Sequence, residues 1–227
     1  MSSSVDPGAR RSLEQHTFDE WPPALRALFD GTSLASKIGF TASLITCDAG
    51  GNLRTSLVGI GELYAPDSRR LAFALWPSSR AARTLASMGQ STMPAGEARR
   101  LDQPAEAAAC PHGHPPARAA LTFVHEGAFY QVQLVVDVLP DASTDEGWET
   151  KAEGGGQPPG SLAQFIASID TGEMQQVGYA RLTSGVTFEL SGEASEQHAV
   201  LDRWRRQIER LRQAAHAWLA VGGSVSP

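Results

Sequence analysis

Apolar and polar positions change period several times along the chain, and each change marks an element. In DEWPPALRALFDG, Leu25, Leu28 and Phe29 recur at helical spacing. Pro22 and Pro23 suit a first turn and Gly31 a stop, which predicts a short helix covering a sheet edge or a barrel mouth. From Gly39 the period falls towards two. GFTASLITCD, LRTSLVGIGELYAPD and SRRLAFALW are alternating or continuously apolar, and they are separated by Asp48-Ala49-Gly50-Gly51-Asn52 and by Ala65-Pro66-Asp67-Ser68. They read as a strand meander. ARAALTFVH and FYQVQLVVDVLP, joined by EGA, predict a hairpin, and VGYARLTSGVTFELSG predicts one more. About six strands make a small barrel or sandwich, and the absence of regular strand and helix alternation excludes a doubly wound sheet.

Two further stretches return to a helical period. Ser78 or Ser79 caps one that runs to about Met88 and stops at Gly89, with Ala82, Leu85 and Met88 on its apolar side. In AVLDRWRRQIERLRQAAHAWLAV, Val200, Leu201, Trp204, Ile208, Leu211, Ala215, Trp218 and Leu219 share a stripe, while Arg203, Arg206, Arg210 and Glu209 occupy much of the rest. This predicts a long amphipathic helix docked on a core or on a partner subunit rather than on a membrane. Residues 1–17 read as a flexible polar tail, and residues 94–118 and 141–160, rich in Pro, Gly, Ala and charge, read as insertions. The rest, 18–221, is one domain.

Composition narrows the partners. A net charge of -6 on 227 residues argues against a dedicated nucleic-acid binder, which needs an excess of Lys and Arg. Cys47 and Cys110 make no disulfide framework, which fits a reducing cytoplasm. MSSSVDPGARRSLEQ lacks the apolar core of a signal peptide, and no run approaches a membrane span. The expectation is a soluble, cytoplasmic protein with neither nucleic-acid nor membrane partners.

Against that acidic background one stretch is locally basic. From Ser68 to Gly96 there is no Asp or Glu, while Arg69, Arg70, Arg80 and Arg83 are present. In WPSSRAARTL, Arg80 and Arg83 are three apart on the predicted helix, so both guanidiniums lie on one side of its first turn. Free backbone N–H groups, the Ser78 and Ser79 hydroxyls and the helix dipole favour an anion there. Forked arginine donors match phosphate oxygens well. The alternative is that these arginines are solvated or pair with carboxylates distant in sequence.

ASLITCDAGGNLRTSLVGIGELY, RRLAFALWPSSRAARTLASMG and FYQVQLVVDVLP together resemble the pyridoxamine 5'-phosphate oxidase-like, FMN-binding split-barrel family, over roughly residues 35–93 and 119–140. The resemblance implies a mainly β, six-stranded antiparallel split barrel with flanking helices. It implies that Arg54, Thr55, Ser56 and Leu57 line the isoalloxazine side and that Leu75 and Trp76 end a strand beside the ring. It further implies that Ser79, Arg80 and Arg83 hold the FMN phosphate, that Gln131 is a polar contact to the flavin, and that two copies form a homodimer with FMN at the interface. Two departures stand out: Ala81 and Ala82 follow Arg80 where the family often has Lys, and VTFELSGEASEQ carries no counterpart of the substrate residues of true pyridoxamine phosphate oxidases.

The expected function is therefore that of an FMN-dependent oxidoreductase acting on a small molecule, with the flavin carrying the redox chemistry. A non-catalytic flavin- or haem-binding stress or sensor protein is the alternative. A third reading is an interaction protein linked by metal through CPHGH, where Cys110, His112 and His114 cluster without the paired halves of a usual zinc site; a Pro-rich loop accounts for the same residues, and no metal ligand is assigned. GIGELY lacks the third glycine of a dinucleotide loop and lies in a strand pattern. Cys47, at a strand end, reads as a small packing residue.

Overall fold

The computed structural model describes residues 13–48, 50–89, 117–139 and 162–222. Among the described residues eight strands are formed: β1 Leu13–Phe18, β2 Thr41–Cys47, β3 Leu53–Gly59, β4 Leu63–Tyr64, β5 Arg70–Leu75, β6 Ala117–His125, β7 Ala128–Val138 and β8 Ala163–Val177. The helices are α1 Pro23–Leu28, α2 Arg80–Gly89 and α3 Ala194–Ala220. The sheet runs β3-β2-β6-β7-β8-β5-β4, with β1 also paired to β8. Every pairing is antiparallel.

The 15-residue β8 is the spine. One edge meets β7 along most of its length, and the other meets β5 through Ala163–Ser168 and β1 through Gly172–Val177. This strand is absent from the sequence-based expectation, which counted six. A register shift beside Gln133 and Leu134 explains why. Inward residues are Phe165, Ala167 and Ile169 before the shift and Gly172 and Met174 after it, so the alternation changes phase in mid-strand and no single period describes it.

Three other expectations are corrected. VGYARLTSGVTFELSG is not a hairpin: beyond Val177 the chain leaves the sheet and residues 178–193 form an irregular strap. Its apolar alternation anchors single residues instead, with the Phe188 ring edge-on to Trp204 and close to Gly59. Residues Leu13 to Thr17 are not tail, because β1 holds them on β8 through main-chain pairing that leaves their side chains outside. LRTSLVGIGELYAPD is two strands divided by a 3-10 turn, Ile60–Glu62. Gly61 there lies against the indole of Trp204: a Cβ would come within 2.3 Å of the ring. Ala117 and Arg118 of the predicted 94–118 insertion open β6; residues 94–116 and 141–160, with Cys110, His112 and His114, lie outside the described residues.

The inner face of the sheet carries the core. Phe73 stacks on Phe165 at 5.3 Å, and Leu44, Leu121 and Leu134 are buried beside them. α1 plugs one end as its spacing predicts, with Phe29 packed edge-on against Trp21, Phe40 and Phe123. α2 packs on β2, β3, β6 and β7 through Ala81, Ala82 and Leu85. α3 covers the outer face at β4 and β5: Tyr64 Oη meets His216 Nε2 at 3.4 Å, and the Arg212 guanidinium lies 5.2 Å from the Tyr64 ring centre. Among the described residues no helix is long and apolar enough to cross a membrane.

Candidate functional site

The junction of β5 and α2 is built by an abrupt change in side-chain chemistry. Leu71 to Leu75 are all buried, so the strand runs through the core and emerges at Trp76, which is 54% exposed. A turn closes with Ser79 N–H donating to the Trp76 carbonyl at 2.9 Å. Ser79 then caps α2: its Oγ accepts from the Ala82 N–H at 3.1 Å, and its carbonyl accepts from the Arg83 N–H at 3.2 Å. The hydroxyl keeps its own proton to donate. The N–H groups of Arg80 and Ala81 precede the first intrahelical bond and are left for an external acceptor.

The four arginines of the basic stretch separate into two kinds. Arg69 bonds Asp19, distant in sequence, at 2.8 Å and Arg70 bonds Asp67, three residues before it, at 2.6 Å, so both already have carboxylate partners and are structural. Arg80 and Arg83 are exposed and have no ion-pair partner among the described residues. The cationic site is therefore smaller than the sequence suggests, and it sits on one helix start.

The β3 residues divide between the two faces. Arg54 and Ser56 pair with Thr46 and Leu44 on the inner side, over which α2 packs. Thr55 and Leu57 point outward, Leu57 being 58% exposed. Because β3 is an edge strand, a flat ring laid along its free edge reaches side chains of both faces. Arg54 has a partner that sequence reasoning missed, with Nη2 3.9 Å from Asp48 Oδ2. Bonds from the Asn52 backbone and side chain and the Gly50 N–H hold the Asp48 carboxyl below its usual range, so it stays charged beside Arg54. The Asp-Ala-Gly-Gly-Asn turn is the signal that locates it.

Leu75 and Gln131 lie apart from this group. Leu75, 5% exposed, belongs to the core. Gln131 shares the outward row Leu57, Ser43, Thr122, Gln131, but three strand spacings, about 14 Å, separate it from Leu57. Within one chain, then, the structure brings together Trp76, Ser79, Arg80 and Arg83 at the start of a helix that packs on β2, β3, β6 and β7, and leaves Gln131 three strands from Leu57. Cys47 is exposed rather than packed, and the described residues contain no cluster of three metal-binding side chains.

The fold is an antiparallel split barrel. No protein-family model matches the chain, and no curated protein does. Solved structures resemble it at low identity. The "putative pyridoxamine 5'-phosphate oxidase" of Lactobacillus delbrueckii is 13% identical, covering 68% of this chain and 94% of its own, with a TM-score of 0.40. HupZ of Group A Streptococcus is 11% identical, with 74% and 99% covered and a TM-score of 0.36. An F420 reductase is 12% identical, with 66% and 94% covered and a TM-score of 0.33. The first bears the name of the family that the sequence resembles; the barrel itself is read from the strand pairing.

Proposed function

We propose that this chain is an FMN-binding flavoprotein acting as an oxidoreductase on a small molecule. The observation that carries the reading is the start of α2: a serine cap, two first-turn N–H groups and two exposed arginines, Arg80 and Arg83, without an ion-pair partner among the described residues. That is a phosphate-shaped set of donors. Exposed Trp76 adjoins it on one side, and the β3 edge offers Thr55 and Leu57 for the ring. Ser79, Arg80 and Arg83 would hold the phosphate, while Arg54, already balanced by Asp48, would contribute hydrogen bonds more than charge. Bound flavin would supply hydride and electron transfer; this chain's part is to fix the phosphate and shelter one side of the ring.

The reading includes a homodimer. Among the described residues no helix covers the outer face of β3 and β2, where Leu53 is 70% exposed, and Gln131, on the same face of β7, joins a ring site only if a second copy folds it over. Cytoplasmic residence belongs to the same proposal. The test is the absorption spectrum of the purified protein with FMN added, followed by NAD(P)H and an electron acceptor. A retained flavin doublet bleached by NAD(P)H is expected. A protein that stays colourless after FMN is added overturns the reading, and a flavin that no donor reduces leaves a binding protein without turnover.

A further inference from the structure

The cations at the proposed flavin site differ in what stands behind them. Arg80 and Arg83 have no ion-pair partner among the described residues, whereas Arg54 Nη2 lies 3.9 Å from Asp48 Oδ2. That separation is too long for a hydrogen bond, so Arg54 keeps its forked donors while its charge is balanced. Thr46 stands directly across from Arg54 on β2, buried and with its hydroxyl unpaired among the described residues. The guanidinium is turned to the carboxylate rather than to that oxygen.

Asp48 is held without help from Arg54. Its Oδ1 accepts from the Gly50 N–H at 3.0 Å, from the Asn52 N–H at 2.9 Å and from Asn52 Nδ2 at 3.0 Å. Its main chain closes the same turn, the Asp48 N–H donating to the Asn52 carbonyl at 3.1 Å and the Gly51 N–H to the Asp48 carbonyl at 2.9 Å. An asparagine oxygen would accept the same side-chain bonds, and Asn serves such turns as Asp does. The turn therefore requires the oxygen but not the charge, and Oδ2 directs that charge at Arg54. We propose that Asp48 is a positioning residue of the flavin site: it holds Arg54 at the inner side of the β3 edge and cancels its charge, so that Arg54 offers the ring hydrogen bonds without favouring the reduced, negatively charged form. The inference rests on the flavin reading of that edge. A lone cation beside the ring stabilises the negative charge that two-electron reduction brings and raises the potential; a carboxylate 3.9 Å from the cation removes most of that effect. The bound flavin is thereby left a stronger reductant.

Redox titration of the FMN-loaded protein against a reference dye tests this with charge changes of opposite sign. Asp48→Asn keeps the turn and uncovers Arg54: reduced FMN should bind about tenfold more tightly relative to oxidised FMN, a rise of about 30 mV in potential. Arg54→Gln uncovers Asp48 and should shift the ratio about tenfold the other way. The double variant should return towards the wild-type value, which two merely structural losses would not produce. Melting curves of flavin-free wild type and Asp48→Asn should coincide, because the pair is partly exposed; a marked drop would make the charge a folding requirement and overturn the proposal. Potentials that stay put in both single variants, or that move the same way, overturn it while FMN binding stands. A protein that takes up no FMN overturns the flavin reading and this inference with it.

Discussion

The two halves of the sheet's outer face differ in what covers them. Over β4 and β5 lies α3, and the strands beneath are buried on both sides: Leu71, Ala72, Phe73, Ala74 and Leu75 are all core. Over β3, β2, β6 and β7 no described helix lies outside, and the strands alternate, as TASLITC does between buried Ala42, Leu44 and Thr46 and partly open Ser43 and Ile45. The covered half fixes the architecture. The open half, together with the start of α2 at the other end of β5, holds most of the residues on which the proposed function depends, with Arg54 on the inner side of β3. A continuous apolar strand therefore announces its own cover, and an alternating one announces a surface kept for something else.

That contrast is broken most forcefully from the covered side. Leu211→Ala removes a fully buried side chain from the α3 contact and should cost about 2 to 5 kcal/mol in urea unfolding. A loss below about 1 kcal/mol would mean that α3 is not part of the core. Gly61→Ala drives a methyl into Trp204, and about 1 to 3 kcal/mol should be lost as the helix is levered away from the 3-10 turn.

On the open side, Leu53→Ser with Leu57→Ser should leave unfolding within about 0.5 kcal/mol per site but weaken the proposed dimer about tenfold or more, read by sedimentation across a concentration series. Equal self-association in wild type and variant would remove the open face from the interface. Smallest is an effect of pH on the covered side. Burial raises the Glu62 carboxyl above its usual range, against the pull of the Gly59 N–H at 2.8 Å and of Arg203. The folded state therefore holds the proton more tightly, and this group's favourable contribution, complete at low pH, is lost as pH rises through the raised value. Glu62→Gln should flatten that part of the plot of melting temperature against pH; an unchanged slope would assign it elsewhere.

The sequence made the one-sided elements legible. β2, β3, β6 and β7 show their alternation, α3 its stripe, and Ser79 its cap, because in each a single face meets the core. β8 escaped because its bulge changes the phase between Ile169 and Gly172, and β1 because main-chain pairing alone holds LEQHTF. In the strap, Val186, Phe188 and Leu190 alternate as a strand would, yet Phe188 serves as a lone anchor on Trp204. At the site, spacing identified Arg80 and Arg83 but not which arginines were already spent. Asp67 neutralises Arg70 from three residues away, and Asp19 neutralises Arg69 through a long-range pairing that only the folded chain displays. Likewise, a list of flavin-side residues along β3 conceals that neighbours in sequence face opposite ways.

The most direct measurement of the central claim is an FMN titration of the flavin-free protein and of the Arg80→Ala, Arg83→Ala double variant, followed by quenching of flavin fluorescence. Each charge-assisted bond to phosphate is worth about 1.5 to 3 kcal/mol, so the variant should bind FMN at least about 100-fold more weakly while its affinity for riboflavin, which lacks the phosphate, stays as in the wild type. Equal FMN affinity in the two proteins would contradict the assignment of the start of α2 as the phosphate site.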